Sequence, residues 1–207
     1  MVTGRRALVV LDGDDVWEDM TTAADALCAL LAADGWVVRV VTGTGRFAAE
    51  SVPAELVVLY RADAGMSAAS AAGLTAAVRG GLGLLGVHST AYRAPSVLGV
   101  DFVGHGPDPQ ESVVAVELDS DHPVTRGIAP FAVPHEHYEL AIADDARILA
   151  WRDAGGRRKP LLTVRTEGEG RVAYLQLGHD MRTWDEPGVR ALIARAAVWA
   201  IGSEVAA

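Results

Sequence analysis

Residues 80–90 read Gly-Gly-Leu-Gly-Leu-Leu-Gly-Val-His-Ser-Thr, and this stretch decides the fold. Its uncharged apolar part, 82–87, is typical of a strand buried on both faces of a parallel sheet. The two leading glycines suit the end of a preceding helix, and Gly86 allows a close approach to the backbone. His88 then stands where a buried strand turns into a helix, at the sheet edge where α/β proteins bind ligands. A histidine there either takes part in chemistry or only hydrogen-bonds a neighbouring carbonyl, and the stretch alone leaves both open.

Alternating strands and helices lead up to this stretch. Apolar runs predict strands at 7–11, 36–41 and 56–60. Helical spacing predicts a helix over 20–34, with Thr21 or Thr22 as its N-cap, and another from the cap Ser67 to Arg79. Strand, helix, strand alternation implies right-handed parallel crossovers.

The second half of the chain is rich in strands. After a Gly- and Pro-containing segment at 90–109, which we expect to be a loop over the sheet edge, alternation predicts further strands. They are expected at 112–118, 138–142, 148–151, 161–164 and 172–177, with a hairpin turn at 167–170. An amphipathic helix follows Pro187 and ends near Gly202.

Composition narrows the function classes. With 207 residues, half of them hydrophobic, we expect one domain over 1–207. The net charge of -9 and the scattered basic residues argue against a nucleic-acid partner. No leader segment or membrane-length apolar run is visible, so the sequence predicts a cytoplasmic protein without a membrane partner. Cys28 is the only cysteine and lies in a predicted helix, which favours a packing role.

Polar residues cluster where predicted strands end. His179 and Asp180 follow the strand 172–177, as His88 follows its own strand. A histidine oriented by a carboxylate is the usual general base, so His88, His179 and Asp180 are candidate acid–base residues. Glu136 joins them as a candidate base or substrate anchor.

His135 and His137 flank Glu136. In an extended segment the two histidines point one way and the carboxylate the other. We expect a surface pair of histidines around a carboxylate that faces the cleft.

Other side chains are candidates for holding substrate or metal. Exposed aromatic faces beside polar groups suit sugar rings. The predicted substrate contacts are Asp12, His105, Tyr138 and Trp184. Imidazole together with the carboxylate of Glu136 or Asp180 also suits a divalent metal such as zinc, although the spacing is not diagnostic. If a metal binds, we expect His88 or His179 among its ligands, with His105 able to reach.

A set of motifs resembles the trehalose-utilisation, ThuA-like family over about residues 9–202. The motifs are the stretch 80–89, Phe102-Val-Gly-His105, Asp121-His-Pro-Val-Thr-Arg-Gly127, Glu136-x-Tyr138, Gly170-Arg-Val-x-Tyr174 and Gly178-His-Asp180 with Trp184. The resemblance implies a flavodoxin-like three-layer α/β fold, similar to class I glutamine amidotransferases. The central sheet should be mostly parallel, with extra antiparallel strands in the second half.

The resemblance also bears on function. In the amidotransferases the elbow after the equivalent strand carries a catalytic cysteine, and a late His with an acidic residue completes the triad. Here the elbow residue is His88, so glutamine hydrolysis through a thioester is not expected. Members often carry histidines after the first strand, whereas this chain has Asp12-Gly-Asp-Asp15. The family implies a link to disaccharide or oxidised-sugar metabolism.

Two functions follow as hypotheses. The leading one is an enzyme that acts on a small-molecule carbohydrate, a sugar or keto-sugar, by proton transfer in the cleft. The alternative is a non-catalytic sugar-binding or regulatory module that kept the cleft after losing the cysteine. The sequence leaves open whether the chain forms a homo-oligomer.

Overall fold

The computed structural model describes residues 4–13, 16, 18–49, 51–62, 65–107 and 109–205. The strands are β1 (Arg6–Gly13), β2 (Val37–Thr42), β3 (Leu56–Ala62), β4 (Gly83–Val87), β5 (Val100–Gly104), β6 (Glu111–Leu118), β7 (Phe131–Glu136), β8 (Glu139–Ile142), β9 (Arg147–Asp153), β10 (Arg158–Glu167) and β11 (Gly170–Leu175). The helices are α1 (Met20–Ala33), α2 (Ala68–Arg79), α3 (Met181–Trp184) and α4 (Pro187–Ala200). Single-turn 3₁₀ helices lie at Gly45–Ala48, His88–Ala91 and Ser96–Leu98.

The main sheet has a parallel and an antiparallel half. Its strands follow the order β2-β1-β3-β4-β11-β10-β9-β6-β7. Neighbours from β2 to β11 run parallel, and those from β11 to β7 run antiparallel. Strands β5 and β8 form a separate antiparallel pair. The predicted α/β class, with a parallel sheet extended by antiparallel strands, is confirmed.

The parallel half is covered on both faces, which explains its continuous apolar runs. Successive residues of β1 alternate between the two faces: Val9 packs with α1 and α4, and Val10 packs with α2. Every residue of β3 and β4 is buried. The result is the expected three-layer arrangement, in which the carboxyl ends of the parallel strands share one edge. A single domain over 1–207 stays a prediction.

Three details differ from the sequence-based expectations. The N-cap of α1 is Asp19, not Thr21 or Thr22, because its carboxylate accepts from the Thr22 backbone N–H at 2.9 Å. The segment predicted as a loop contains strand β5, which pairs with β8. Strand β7 was missed because Pro134 interrupts its pattern. Proline is tolerated there, since β7 is an edge strand.

The structure also bears on membrane insertion. Within the part of the chain that it describes, no helix has both the length and the apolar character needed to cross a membrane.

Helix α2 packs very closely on the segment after β2. A Cβ placed on Gly73 would lie 1.8 Å from the carbonyl oxygen of Phe47. The glycine therefore permits the contact between α2 and the 3₁₀ helix Gly45–Ala48.

We expect Gly73→Ala to destabilise the protein by about 1–3 kcal/mol, the usual cost of overpacking. Glycine to alanine inside a helix ordinarily stabilises by about 1 kcal/mol, so the expected sign is reversed. Urea denaturation of both proteins measures the change. Gly45→Ala is the control, because its Cβ would meet no atom within 4 Å. A Gly73→Ala midpoint equal to or above that of wild type would contradict the packing argument.

Candidate functional site

His88 occupies a sharp elbow directly after β4, at the strand end where the sequence placed it. Its φ of 47° lies in the left-handed region, which residues other than glycine seldom adopt. The Tyr174 hydroxyl donates to the carbonyl oxygen of His88 at 2.8 Å. The Thr90 hydroxyl donates to the carbonyl oxygen of Leu59 at 2.7 Å and ties the turn to β3. Backbone strain maintained by such contacts is typical of functional sites.

The imidazole of His88 is completely buried, and its orientation is set from three sides. Its Nδ1 donates to the carbonyl oxygen of Gln176 at 2.8 Å. The Tyr138 ring stacks on it with centroids 4.9 Å apart, and the edge of His135 lies at 5.0 Å. Because a carbonyl takes the Nδ1 proton, Nε2 carries a lone pair whenever the ring is neutral.

Four polar atoms surround Nε2 of His88. They are Glu18 Oε1 at 3.0 Å, Tyr138 Oη at 3.2 Å, His179 Nδ1 at 3.2 Å and Glu136 Oε2 at 3.5 Å. These residues come from the segment between β1 and α1, the end of β7 and the segments after β7 and β11. We call the five residues, His88 included, the floor cluster. It contains two imidazoles, two carboxylates and a phenol, which are types of group that can exchange protons or bind metal.

Glu18 was missed by the sequence analysis, yet it is the most buried carboxylate of the floor cluster, with a side chain 3% exposed. Its Oε2 accepts from the Tyr60 hydroxyl at 2.7 Å and lies 3.2 Å from His179 Nδ1. Burial by itself would raise the pKa of Glu18, but hydrogen bonds from His179 and His88 outweigh it and lower the pKa to about 2. The available signal was its place in the polar segment after β1, at the same sheet edge as His88.

The carboxylates and imidazoles of the floor cluster stabilise each other's charged forms. Burial acts to lower the pKa of His88, but hydrogen bonds with Glu136 and Glu18 prevail and raise it to about 9. The hydrogen bond with Glu18 raises the pKa of His179. Burial would raise the pKa of Glu136, yet its contact with His88 lowers that pKa overall. In the metal-free protein the cluster therefore holds ionised carboxylates beside protonated imidazole.

His135 lies next to the floor cluster and contacts two of the backbone segments that carry it. Its Nδ1 donates to Glu136 O at 2.8 Å, and its Nε2 accepts from the Gly178 backbone N–H at 3.1 Å. Burial lowers the pKa of His135 to about 3, so the ring stays neutral. Gly178 must be small, because a Cβ there would lie 2.8 Å from Val87 Cγ1. His135 thereby aligns the segments that carry Glu136 and His179.

The expected surface pair of histidines is wrong. His135 and His137 are both buried, and only Glu136 between them faces the cleft. The two histidines do point to the side opposite Glu136, as expected for an extended strand. That side faces the interior of the protein, where His137 Nε2 lies 2.7 Å from the hydroxyl of Ser112 on the neighbouring strand β6.

A cleft of about 550 Å³ opens above the floor cluster. Its lining residues are Val16, Glu18, Ala62, Ser89, Tyr92, Phe102, His105, Gln110, Glu136, Tyr138 and His179. Two of the residues predicted to contact substrate, His105 and Tyr138, line this cleft, and both rings pack against Phe102. The Nδ1 of His105 donates to His137 O at 3.0 Å, which fixes the ring against Tyr138. Aromatic walls with a polar floor suit a sugar ring.

Asp180, predicted as catalytic, lies outside the cleft lining. Its carboxylate caps α3 by accepting from the Arg182 backbone N–H at 2.9 Å. It also accepts from the Arg182 guanidinium, which holds its pKa below the usual range against the opposing effect of burial. Asp180 therefore does not line the cleft that its sequence neighbour His179 lines, because a residue at an N-cap turns its side chain toward the helix.

Asp12 and Trp184 also lie outside the cleft lining. The carboxylate of Asp12 accepts from the Thr44 hydroxyl at 2.9 Å and lies 3.7 Å from Arg61 Nε. Trp184 is 2% exposed and packs against Tyr60 with ring centroids 5.9 Å apart. The neighbouring acidic residues Asp14 and Asp15 fall outside the described residues.

One part of the floor cluster could hold a metal ion. Ligand atoms of Glu18, His88 and His179 all lie within 4.8 Å of one another. The carboxylate nearest both imidazoles is thus Glu18, rather than Glu136 or Asp180 as the sequence analysis considered.

Solved structures with similar folds agree with this architecture. A ThuA-like protein from Parabacteroides merdae superimposes with a TM-score of 0.78 at 19% identity, over 99% of this chain and 93% of the other. A protein from Thermoplasma acidophilum, described as part of a GMP synthase, gives 0.61 at 15% identity, over 95% and 96%. A protein from Salmonella typhimurium LT2, described as cytoplasmic, gives 0.62 at 13% identity, over 95% and 97%. At these identities the likeness shows the fold alone.

Sequence comparison is more specific about the family. No curated protein matches the chain significantly. The family model described as trehalose utilisation, ThuA, matches residues 6–200, which is nearly the whole chain. The fold, the elbow at His88 and this match agree, and the chain belongs to the ThuA trehalose-utilisation family.

Proposed function

We propose that this protein is an enzyme of carbohydrate metabolism that transfers a proton on a sugar or keto-sugar bound in the cleft. Its small-molecule partner is a trehalose-type disaccharide or an oxidised derivative of one. The family supports the general link to trehalose utilisation. A cytoplasmic location is part of the proposal, supported by the description of the Salmonella protein with a similar fold.

The observation that carries the proposal is the convergence of the floor cluster on one buried atom. Four polar atoms from separate parts of the chain lie 3.0–3.5 Å from His88 Nε2, beneath a cleft with aromatic walls. Burying two carboxylates and two imidazoles together is costly unless each charge is matched. Such clusters concentrate at sites where protons move or charge develops.

Glu136 is the proposed base. Its side chain is 21% exposed against 3% for Glu18, so it is the carboxylate that a substrate in the cleft reaches. Glu136 takes the proton from a carbon next to the sugar carbonyl, and the bonding pair moves to form the enediol. The His88–His179 pair donates a proton to the carbonyl oxygen, or holds an electrophile that polarises it. Return of the proton to the former carbonyl carbon, with loss of the neighbouring hydroxyl proton, completes an isomerisation. Departure of the oxygen substituent β to the carbonyl, with the proton transferred to that leaving oxygen, completes an elimination instead.

The remaining side chains hold the substrate. Tyr92 and Phe102 form an aromatic wall, with ring centroids 5.9 Å apart. Gln110 and His105 offer polar contacts along the same cleft. Burial keeps the pKa of Tyr138 well above its ordinary value, so its hydroxyl stays protonated beside His88 Nε2.

Glutaminase chemistry has no support at this elbow. An acyl-enzyme path needs an activated nucleophile, and the elbow carries an imidazole. Cys28 lies in α1, where burial raises the pKa of its thiol.

We expect Glu136→Gln to lower turnover by about 100-fold or more while changing sugar affinity little, because deleting a general base affects the transition state. Deuterium incorporation from D₂O, followed by NMR, measures the proton transfer on a panel of keto-disaccharides that includes keto derivatives of trehalose. Calorimetry measures affinity.

Asp180→Asn is the matched control, because that carboxylate is adjacent in sequence to His179 but lies outside the cleft lining. It should exchange at the wild-type rate. Exchange at the wild-type rate by Glu136→Gln would overturn the role of Glu136. If wild type binds these sugars yet exchanges none of them, with or without added divalent metal, the protein is a sugar-binding module instead.

A separate prediction concerns the aromatic wall. Tyr92→Ala should weaken sugar binding by about 3- to 10-fold, because it removes a stacking face, and should change turnover of bound substrate much less. Tyr92→Phe keeps the ring and should retain the affinity. Equal losses in both variants would assign the effect to the hydroxyl, and a loss confined to turnover would place Tyr92 with the reacting groups.

A further inference from the structure

We propose that Glu18, His88 and His179 bind a divalent metal ion of the zinc class at the floor of the cleft. The ligands would be the Glu18 carboxylate, His88 Nε2 and His179 Nδ1. This inference deepens the proposed function, on which it rests for the reaction alone, by naming the electrophile that faces the substrate.

The spacing of the three donors matches a coordination shell. Nε2 of His88 lies 3.0 Å from Glu18 Oε1 and 3.2 Å from His179 Nδ1. Nδ1 of His179 lies 3.2 Å from Glu18 Oε2. Donors bound at about 2.0–2.1 Å to one tetrahedral or octahedral ion are themselves about 2.8–3.4 Å apart. All three donor contacts fall in this range.

The donors are held as metal ligands usually are. A ligating histidine commonly donates its second ring N–H to a carbonyl or carboxylate, which fixes the tautomer and directs the lone pair to the metal. His88 does this through Nδ1, which donates to Gln176 O at 2.8 Å. The Tyr60 hydroxyl donates to Glu18 at 2.7 Å and also lies 3.1 Å from the carbonyl oxygen of Gly178. Both contacts come from the rigid parallel sheet.

Two carboxylates converge on His88 Nε2. Glu18 Oε1 lies 3.0 Å from it and Glu136 Oε2 lies 3.5 Å from it, and Nε2 carries at most one proton to share between them. One divalent cation balances the charge of both carboxylates and takes the place of that shared proton.

The ligand types favour zinc, iron or nickel over calcium or magnesium, since two of the three donors are imidazoles. Three protein ligands leave coordination positions toward the cleft, as catalytic rather than structural zinc sites do. Glu136, 4.0 Å from His179 Nδ1, borders that open side. A sugar oxygen bound there would be polarised beside the proposed base.

The first test uses the metal alone. Chelator-treated protein is titrated with Zn²⁺ by calorimetry and with Co²⁺ by visible absorption, and we expect about one ion per chain. His179→Ala should weaken binding by about 100-fold or more. Its side chain is 24% exposed, so the variant should fold, which circular dichroism checks. Glu18→Gln should weaken binding to a similar extent. Tyr60→Phe, which removes only the outer hydrogen bond, should weaken it by about 10-fold.

Asp180→Asn is the matched control and should bind Zn²⁺ as wild type does. If wild type binds no Zn²⁺ or Co²⁺ stoichiometrically, the inference is overturned. It is also overturned if folded His179→Ala and Glu18→Gln both keep wild-type affinity, because the ion then binds elsewhere.

The proposed metal ion and the proposed reaction can be disproved independently of each other. Deuterium exchange that persists in chelated protein with no residual metal would overturn the role of the metal as the electrophile and leave the proposed function intact. Stoichiometric Zn²⁺ lost in His179→Ala, without exchange on any sugar, would support the site and count against the reaction.

Discussion

The buried carboxylate of Glu18 is the interaction on which the rest of the site depends. It is reached by the Tyr60 hydroxyl at the end of β3, by His88 at the elbow after β4 and by His179 after β11. A charge buried to this degree is unstable unless its partners stay in place, so the carboxylate ties three neighbouring strand ends together. These contacts also hold Glu18, which lies just before α1, against the sheet. Moving any one of these strand ends would expose the charge or leave it unmatched.

The elbow shows how one backbone feature can serve different chemistries. In class I glutamine amidotransferases, which this fold resembles, the equivalent elbow presents a nucleophilic thiol. Here the elbow backbone is left-handed, with φ 47°, and it places an imidazole in a fully buried position that stacks with Tyr138. A thiol at an elbow must be reached by the substrate. A fully buried imidazole can act only through the groups around it, which is the arrangement that the proposed proton transfer requires.

Much of the fold and part of the site could be predicted from the sequence. Buried strands and their polar ends are marked by apolar runs and glycines, and these placed His88, His179 and Glu136 at the correct edge. Glu18 could not be identified, because it lies in an acidic segment without helical or strand periodicity, where spacing does not tell which carboxylate turns inward. Asp180 was assigned through its neighbour His179, but N-capping of α3 directs it away. Of the two aromatic residues predicted to contact substrate, one lines the cleft and the other does not, for a similar reason. Tyr138 lines the cleft and stacks on His88, whereas the single turn of α3 directs the Trp184 indole into the core against Tyr60.

The contact between Glu18 and His179 joins residues 161 positions apart. Glu18 belongs to the first crossover of the sheet, and His179 follows β11, which inserts beside β4 only after every antiparallel strand has been made. Closing so long a loop is slow compared with forming local contacts. During synthesis on the ribosome, the Glu18 carboxylate therefore lacks its partner His179 until that residue has emerged. Assembly of the floor cluster is thus a late event, and its completion marks a chain whose β11 is correctly inserted.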